Sequence, residues 1–89
     1  MAIAQPITGG SQNAIKVYDI GFDILLTYQI KLTANNCAAY IVNVDSVSFC
    51  DGYGTLLFEL PCIQKGYFKL EIIETTGSTV LYTMNAKVY

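Results

Sequence analysis

A strict two-residue alternation of side chains between Phe22 and Leu32 constrains this chain more than any other feature. Every even position from 22 to 32 is apolar, and four of the five odd positions are polar, Leu25 being the exception. Successive side chains of a β-strand point to opposite faces, so the pattern describes a strand with one buried and one wet face. A helix would need apolar residues every three to four positions. The stretch therefore predicts a long central strand around which the other strands pair.

The chain is small and unusually poor in charge for its size. It has 89 residues, of which 53% are apolar and 13% charged, with a mean hydropathy of +0.41. Soluble domains carry roughly 25% charged residues, and large exposed apolar patches usually mark a surface that a partner covers. The composition therefore favours an assembled protein. The alternative is a monomer kept soluble by its Thr, Asn, Ser and Tyr side chains.

Charge and hydropathy also exclude several kinds of partner. The net charge is −2 and the five basic residues are all lysines, whereas nucleic-acid binding needs clustered Lys and Arg. No apolar run approaches the ~18 residues of a membrane-spanning helix. We therefore expect no nucleic-acid partner and no membrane span.

Three cysteines, Cys37, Cys50 and Cys62, are spaced by 13 and 12 positions. Zinc sites use pairs two to four residues apart and usually a His, which this chain lacks. We therefore expect buried free thiols, no disulfide, no metal and no cofactor. The N-terminus shows no signal-peptide pattern, which predicts synthesis in the cytoplasm and a final location in an assembled particle.

The chain divides into an arm and one domain. Residues 1–13 carry no charged side chain, and Pro6, Gly9 and Gly10 break regular structure. They predict an extended N-terminal arm, held along its own sheet edge or against a neighbouring chain. Residues 14–89 form the single β domain.

Within the domain, strands are predicted at 14–20, 40–50 and 55–60, in addition to the central one. The stretch at 40–50 changes phase, so a β-bulge is expected near Asp45-Ser46. A tight turn with the loop Gly52-Tyr53 would pair Asp51 with Gly54 and set Phe49 opposite Leu56.

The last hairpin is predicted over 67–74 and 78–88. A three-residue loop at 75–77, with Gly77 in the left-handed conformation, would place Ile72 opposite Val80. With no helical stretch, these elements predict an all-β fold, a small antiparallel β-sandwich or barrel of six to seven strands with an extended N-terminal arm.

No signature of catalysis is present in the sequence. The absence of His excludes Ser-His-Asp and Cys-His centres within one chain. Asp19 and Asp23 are close in sequence and could form a carboxylate pair, but polar-face aspartates beside a bend are more often simply solvated. We therefore expect a protein that is not an enzyme.

Candidate partner contacts are apolar residues that have no expected place in the core, together with one aromatic residue at a predicted turn. They are Ile3, Ile7, Leu25, Tyr53, Leu57 and Leu81. The resulting hypothesis is a non-enzymatic structural component of a large assembly, on analogy with virion parts such as capsid cement or decoration, minor capsid, tail or fibre proteins. Its partners would be other protein subunits, in a homo- or hetero-assembly. The alternative is a small carbohydrate-binding or adhesion module whose tyrosines contact a glycan.

Overall fold

Seven β-strands make up the regular structure of the chain. The computed structural model describes residues 2–4, 7–18, 23, 25–34, 39–50 and 52–89. The strands are β1 (Ala2–Ala4), β2 (Gln12–Tyr18), β3 (Tyr28–Thr33), β4 (Tyr40–Cys50), β5 (Tyr53–Glu59), β6 (Gly66–Glu74) and β7 (Thr79–Val88). The described ranges contain no helix, so the all-β prediction is confirmed.

The strands pair in the order β1-β2-β5-β4-β3-β6-β7, and every neighbouring pair is antiparallel. The sheet curls into a half-barrel. At one end its two margins meet, because Ile7 forms a parallel bridge with Val88 and the Tyr89 amide donates to the Ile7 carbonyl at 2.8 Å. The curl gives the sheet an inner face, which holds the core, and an outer face.

The core is built from alternate residues of the strands, as period-two patterning requires. The buried hydrophobic side chains are Ile7, Ile15, Val17, Tyr28, Ile30, Leu32, Leu56, Phe58, Leu60, Phe68, Leu70, Ile72, Ala86 and Val88. Full burial of one large aliphatic or aromatic side chain stabilises by about 1.5–3 kcal/mol. The outer face carries polar side chains and a set of exposed apolar side chains.

The central strand is shorter than the alternation predicted. It begins at Tyr28, not at Phe22, which with Ile24 lies outside the described residues. The Asp23 carboxylate accepts a hydrogen bond from the Leu25 amide at 2.9 Å, and the Asp23 carbonyl accepts one from the Leu26 amide at 3.1 Å. An Asp side chain that binds the backbone two residues on favours a turn. This local turn takes the place of the predicted strand over residues 25–27.

The strand predicted at 40–50 and its bulge are confirmed. β4 has these bounds, and its pairing with β5 shifts between Val44, opposite Phe58, and Ser46, opposite Leu57. Asp45 is the extra residue between them. The bulge keeps Val44 and Val47 on the core side, where both pack against buried residues.

The predicted register of the hairpin between β4 and β5 is wrong by two residues. Phe49 lies opposite Gly54 and Leu56 lies opposite Val47. Gly52 is the residue with left-handed backbone, at φ 81°, and Tyr53 already belongs to β5. Asp51 lies outside the described residues. A two-residue shift preserves which side chains share a face, so the core assignment survives the error.

The last hairpin departs from its prediction by one residue beside the turn, where Glu74 pairs with Thr79, and by two residues farther along the strands. Ile72 lies opposite Tyr82, not Val80, which pairs with Ile73 across a second bulge. The turn is four residues long, from 75 to 78, and its left-handed residue is Ser78 at φ 51°, not Gly77. Both oxygens of the Glu74 carboxylate accept turn amides, from Thr76 at 2.9 Å and Gly77 at 3.2 Å. These bonds stabilise a turn that is longer than the three-residue loop predicted from the position of Gly77.

The N-terminal segment contributes to the sheet and to the core. β1 pairs with β2, and β2 starts at Gln12, two residues before the predicted strand. The buried Asn13 side chain accepts a hydrogen bond from the Thr8 amide at 2.9 Å and donates to the carbonyls of Thr8 and Ser11 at 3.1 and 3.0 Å. This one side chain shapes the bend that carries Ile7 into the core.

The prediction that the thiols are buried is wrong for Cys50 and Cys62, which are free and exposed. Cys50 lies opposite Tyr53 on the outer face at the end of β4, and Cys62 follows Pro61 in the connection to β6. Neither position is covered by another strand. Cys37 lies outside the described residues.

Candidate interaction surfaces

Exposed apolar and aromatic side chains are the most unusual feature of the surface. Among the residues that the structure describes, no group of three or more Cys, Asp or Glu could hold a metal ion, and no helix is present that could cross a membrane. The exposed large hydrophobics are Tyr18, Leu25, Leu26, Ile41, Phe49, Tyr67, Val80 and Tyr89. The candidate functional features are therefore surfaces.

The sequence-predicted contacts do not gather into one surface. Leu25 is 86% exposed in the turn before β3. Leu57 is half-buried on the outer face of β5, and Leu81 is half-buried on β7 against the core. Strands β4, β3 and β6 separate β5 from β7 in the sheet, so Leu57 and Leu81 lie in different regions of the surface.

The prediction that Ile7 has no place in the core is wrong. Its side chain is 1% exposed and packs within the main hydrophobic cluster. Pro6 and two glycines nearby predicted an extended arm held at a sheet edge or by a neighbouring chain, but the Ile7–Val88 bridge is a contact between distant parts of the chain that no local pattern shows. The backbone of Ile3 on β1 pairs with that of Lys16 on β2.

Tyr53 is half-buried at the start of β5 and not at a turn tip. Its ring lies 5.0 Å from the Tyr18 ring, tilted by 57°, and the two residues are directly paired across β2 and β5. A tilted aromatic pair of this kind adds about 0.5–1.5 kcal/mol beyond its burial. Tyr53 therefore has a packing role here, while the 44% exposed Tyr18 covers it from the outside.

A basic and aromatic group lies where β6 begins and β7 ends. Tyr67 and Lys87 are paired on the outer face, and the Lys87 ammonium nitrogen lies 5.5 Å from the centre of the Tyr67 ring and 5.1 Å from that of Tyr89. Lys69 is the next outward residue of β6 and is also exposed. We call Tyr67, Lys69, Lys87 and Tyr89 the basic end.

Sequence reasoning left the tyrosines of the basic end without a role. A signal was nevertheless present, because Tyr67 falls at the polar phase of the alternation that buries Phe68 and Leu70. An aromatic residue at a polar-phase position is one that the fold exposes. Tyr67 is 77% exposed.

An acidic group lies at the opposite end of β6. The Tyr28 hydroxyl donates to the Asp23 carbonyl at 3.0 Å, and Tyr28 is paired with Glu74 on β6. The turn that follows Asp23 carries two exposed leucines, Leu25, 86% exposed, and Leu26, 40% exposed. We call Asp23, Leu25, Leu26 and Glu74 the acidic end.

Hydrogen bonds hold the acidic end in shape. The Thr75 amide donates to the Thr27 carbonyl at 3.1 Å, and the two threonine hydroxyls are hydrogen-bonded to each other. The Thr76 amide and hydroxyl, followed by the Gly77 amide, lower the pKa of Glu74 below its ordinary value of 4.5. Glu74 is therefore a fixed negative charge at neutral pH.

Comparison of the chain with protein-family models, curated proteins and solved structures finds no match.

Proposed function

We propose that this chain is a non-enzymatic structural component of a large protein assembly, and within that class a virion protein of the capsid cement, decoration, minor capsid, tail or fibre kind. The observation that carries the proposal is the set of eight exposed large hydrophobic residues in the part of the chain that the structure describes. Large exposed apolar patches are typical of surfaces that a partner covers. The partners are other protein subunits, and the particle they form is the final location after cytoplasmic synthesis.

The low charge of the chain supports the same proposal. Only 13% of the residues are charged, so the surface of this chain carries few ions for its size. Contact with another subunit then removes few charges from water, which is the costly part of burying a surface. Each large apolar side chain that becomes buried contributes about 1.5–3 kcal/mol, before the cost of association.

A carbohydrate-binding or adhesion module is the second candidate, and the basic end is the observation that favours it. Tyr67 is 77% and Tyr89 55% exposed, and both rings flank the Lys87 ammonium. Exposed tyrosine rings provide stacking surfaces for sugars, and an ammonium group would select an acidic glycan.

The mass of the protein in solution as a function of concentration separates the two candidates. An assembly component is expected to exceed the 9.8 kDa of one chain as concentration rises, by sedimentation or light scattering. A second experiment titrates the protein with neutral and acidic oligosaccharides and measures binding. A 9.8 kDa species at every concentration that binds a glycan, and loses it in Tyr67→Ala, would contradict the assembly proposal and support the module.

A further inference from the structure

The basic and acidic ends occupy opposite ends of the same strand. Tyr67 is near the start of β6 and Glu74 is its last residue, so seven residue steps of roughly 3.3 Å, or about 23 Å, separate them. The molecule measures 33 × 25 × 21 Å, so this separation spans most of one dimension. At this separation the two groups cannot meet within one molecule.

We infer that the molecule binds a second copy of itself head to tail, with the basic end of one copy against the acidic end of the next. This inference rests on the proposed role in an assembly and names the partner and the surface. The occupant of the basic end is thus another copy of this chain, and each contact leaves one basic and one acidic end free.

The two ends match in both charge and chemistry. Lys69 and Lys87 would face Asp23 and Glu74, two positive charges against two negative ones. The exposed leucines of the acidic end would pack on the Tyr67 and Tyr89 rings of the basic end. Apolar contact provides most of the affinity of such an interface, while complementary charge sets its orientation and rejects the reverse arrangement.

Of the other charges that the structure describes, Lys65 is exposed just before β6, beside the basic end, and Asp45 is exposed at the bulge of β4. Glu71 is paired with Lys31 in the middle of the outer face, between the two ends. Glu59 lies on β5 opposite Gln12, away from β6 and β7 in the sheet. Lys16 lies on β2 opposite Thr55 and belongs to neither end.

The geometry of the contact determines the kind of assembly. A contact between two different surfaces of one molecule is heterologous, and repeated contacts close into a ring or continue as an open filament. The spacing between successive subunits should be close to one dimension of the molecule, within 21–33 Å. A repeat of this size is measurable by electron microscopy.

Charge reversal at one end at a time tests the inference. The variant Lys69→Glu with Lys87→Glu is acidic at both ends, and the variant Asp23→Lys with Glu74→Lys is basic at both ends. Each alone should self-associate about tenfold or more weakly than the native chain. Mixed in equal amounts, the two should co-assemble, because every contact again joins opposite charges.

Two further variants control for the loss of turn hydrogen bonds and for a non-specific effect of charge reversal. Glu74 and Asp23 both bind turn amides, so Leu25→Lys introduces a positive charge at the acidic end without removing those bonds. The matched control is Lys16→Glu, which reverses an exposed lysine outside both ends and should leave association unchanged. Circular dichroism checks that each variant is folded.

The outcomes separate this inference from the proposed function. If the native chain assembles but end-specific reversal has no more effect than Lys16→Glu, or the mixture fails to assemble, the head-to-tail contact is wrong while the assembly role stands. If the native chain stays a monomer at every concentration, the proposed function itself fails. Loss of binding to an acidic polysaccharide in Lys87→Glu, with the oligomeric state unchanged, would assign the basic end to an anionic ligand and overturn the inference.

Discussion

Ser78 adopts a backbone conformation that its side chain disfavours. Its φ of 51° is in the left-handed region, and it is the one residue other than glycine with a positive φ among those described. A side chain in this region costs about 1–2 kcal/mol through contact of Cβ with the backbone. The turn is nevertheless maintained, because the Glu74 carboxylate binds the Thr76 and Gly77 amides.

Replacing Ser78 by Gly should therefore stabilise the protein by about 0.5–1 kcal/mol, since glycine adopts positive φ without a steric penalty but loses more chain entropy on folding. Chemical denaturation measures the difference. The matched control is Thr83→Gly, an exposed position within β7 where the same change should destabilise by about 0.5–1 kcal/mol. Equal effects of the two changes would contradict the role assigned to Ser78.

The charge on Glu74 should make the stability of the last hairpin depend on pH. Its pKa is lower in the folded protein than the ordinary value of 4.5, so the ionised form stabilises the fold above that pH. This stabilisation is lost as the pH falls through the folded-state pKa.

Glu74→Gln should accordingly lower the free energy of unfolding at pH 7, and the difference from the native chain should shrink as the pH falls below 4.5. Denaturation curves at several pH values, on protein diluted enough to be monomeric, provide the comparison. Glu59→Gln is the control, because its exposed carboxylate lies on β5 outside any turn. A difference for Glu74→Gln that is the same at pH 3 and pH 7 would exclude the proposed cause.

At the scale of the element, the curl of the sheet depends on a residue outside the strands. Ile7 precedes β2, yet it is fully packed among β-strand residues and bridges to Val88 on β7. Its side chain therefore fills the space where the two margins of the half-barrel meet.

Ile7→Ala should destabilise the protein by about 2–5 kcal/mol, because it removes buried methyl groups and leaves a cavity. Ile41→Ala is the matched control, since Ile41 is 56% exposed on β4 and its truncation should change stability by no more than about 0.5 kcal/mol. Thermal or urea denaturation compares the two. Similar small losses for both would contradict the role of Ile7 in the core.

The elements also show which parts of the fold follow from local patterns. The bounds of β4 and the bulge at Asp45 were predicted from hydrophobic phase alone, because a change of phase needs an extra residue. The β4–β5 register was wrong by two residues because Cys50 pairs with Tyr53 across the turn. The last hairpin was wrong by one residue beside its longer turn, and a bulge after Ile72 adds a second residue. Turn length in the last hairpin follows from the Glu74 carboxylate, whose contacts with the turn amides are not visible in a pattern of apolar residues.

At the scale of the whole molecule, composition predicted that apolar side chains would be exposed but could not say where. Leu25 was identified because it broke an alternation, whereas Tyr67 and Lys87 come together across β6 and β7 only when the register is known. The separation of charge between the two ends is likewise a property of the fold. The lysines and carboxylates concerned are interleaved along the sequence.

The bridge between Ile7 and Val88 has a consequence for how the protein is made. The two residues are near opposite ends of the chain, and the core that contains both also includes side chains from β2, β3, β5, β6 and β7. A nascent chain on the ribosome therefore cannot complete its core until the last strand has emerged from the exit tunnel. Contacts between such distant residues slow folding and leave apolar surface exposed in the meantime. Ile7 can therefore gain its partner on β7 only after that strand has been synthesised.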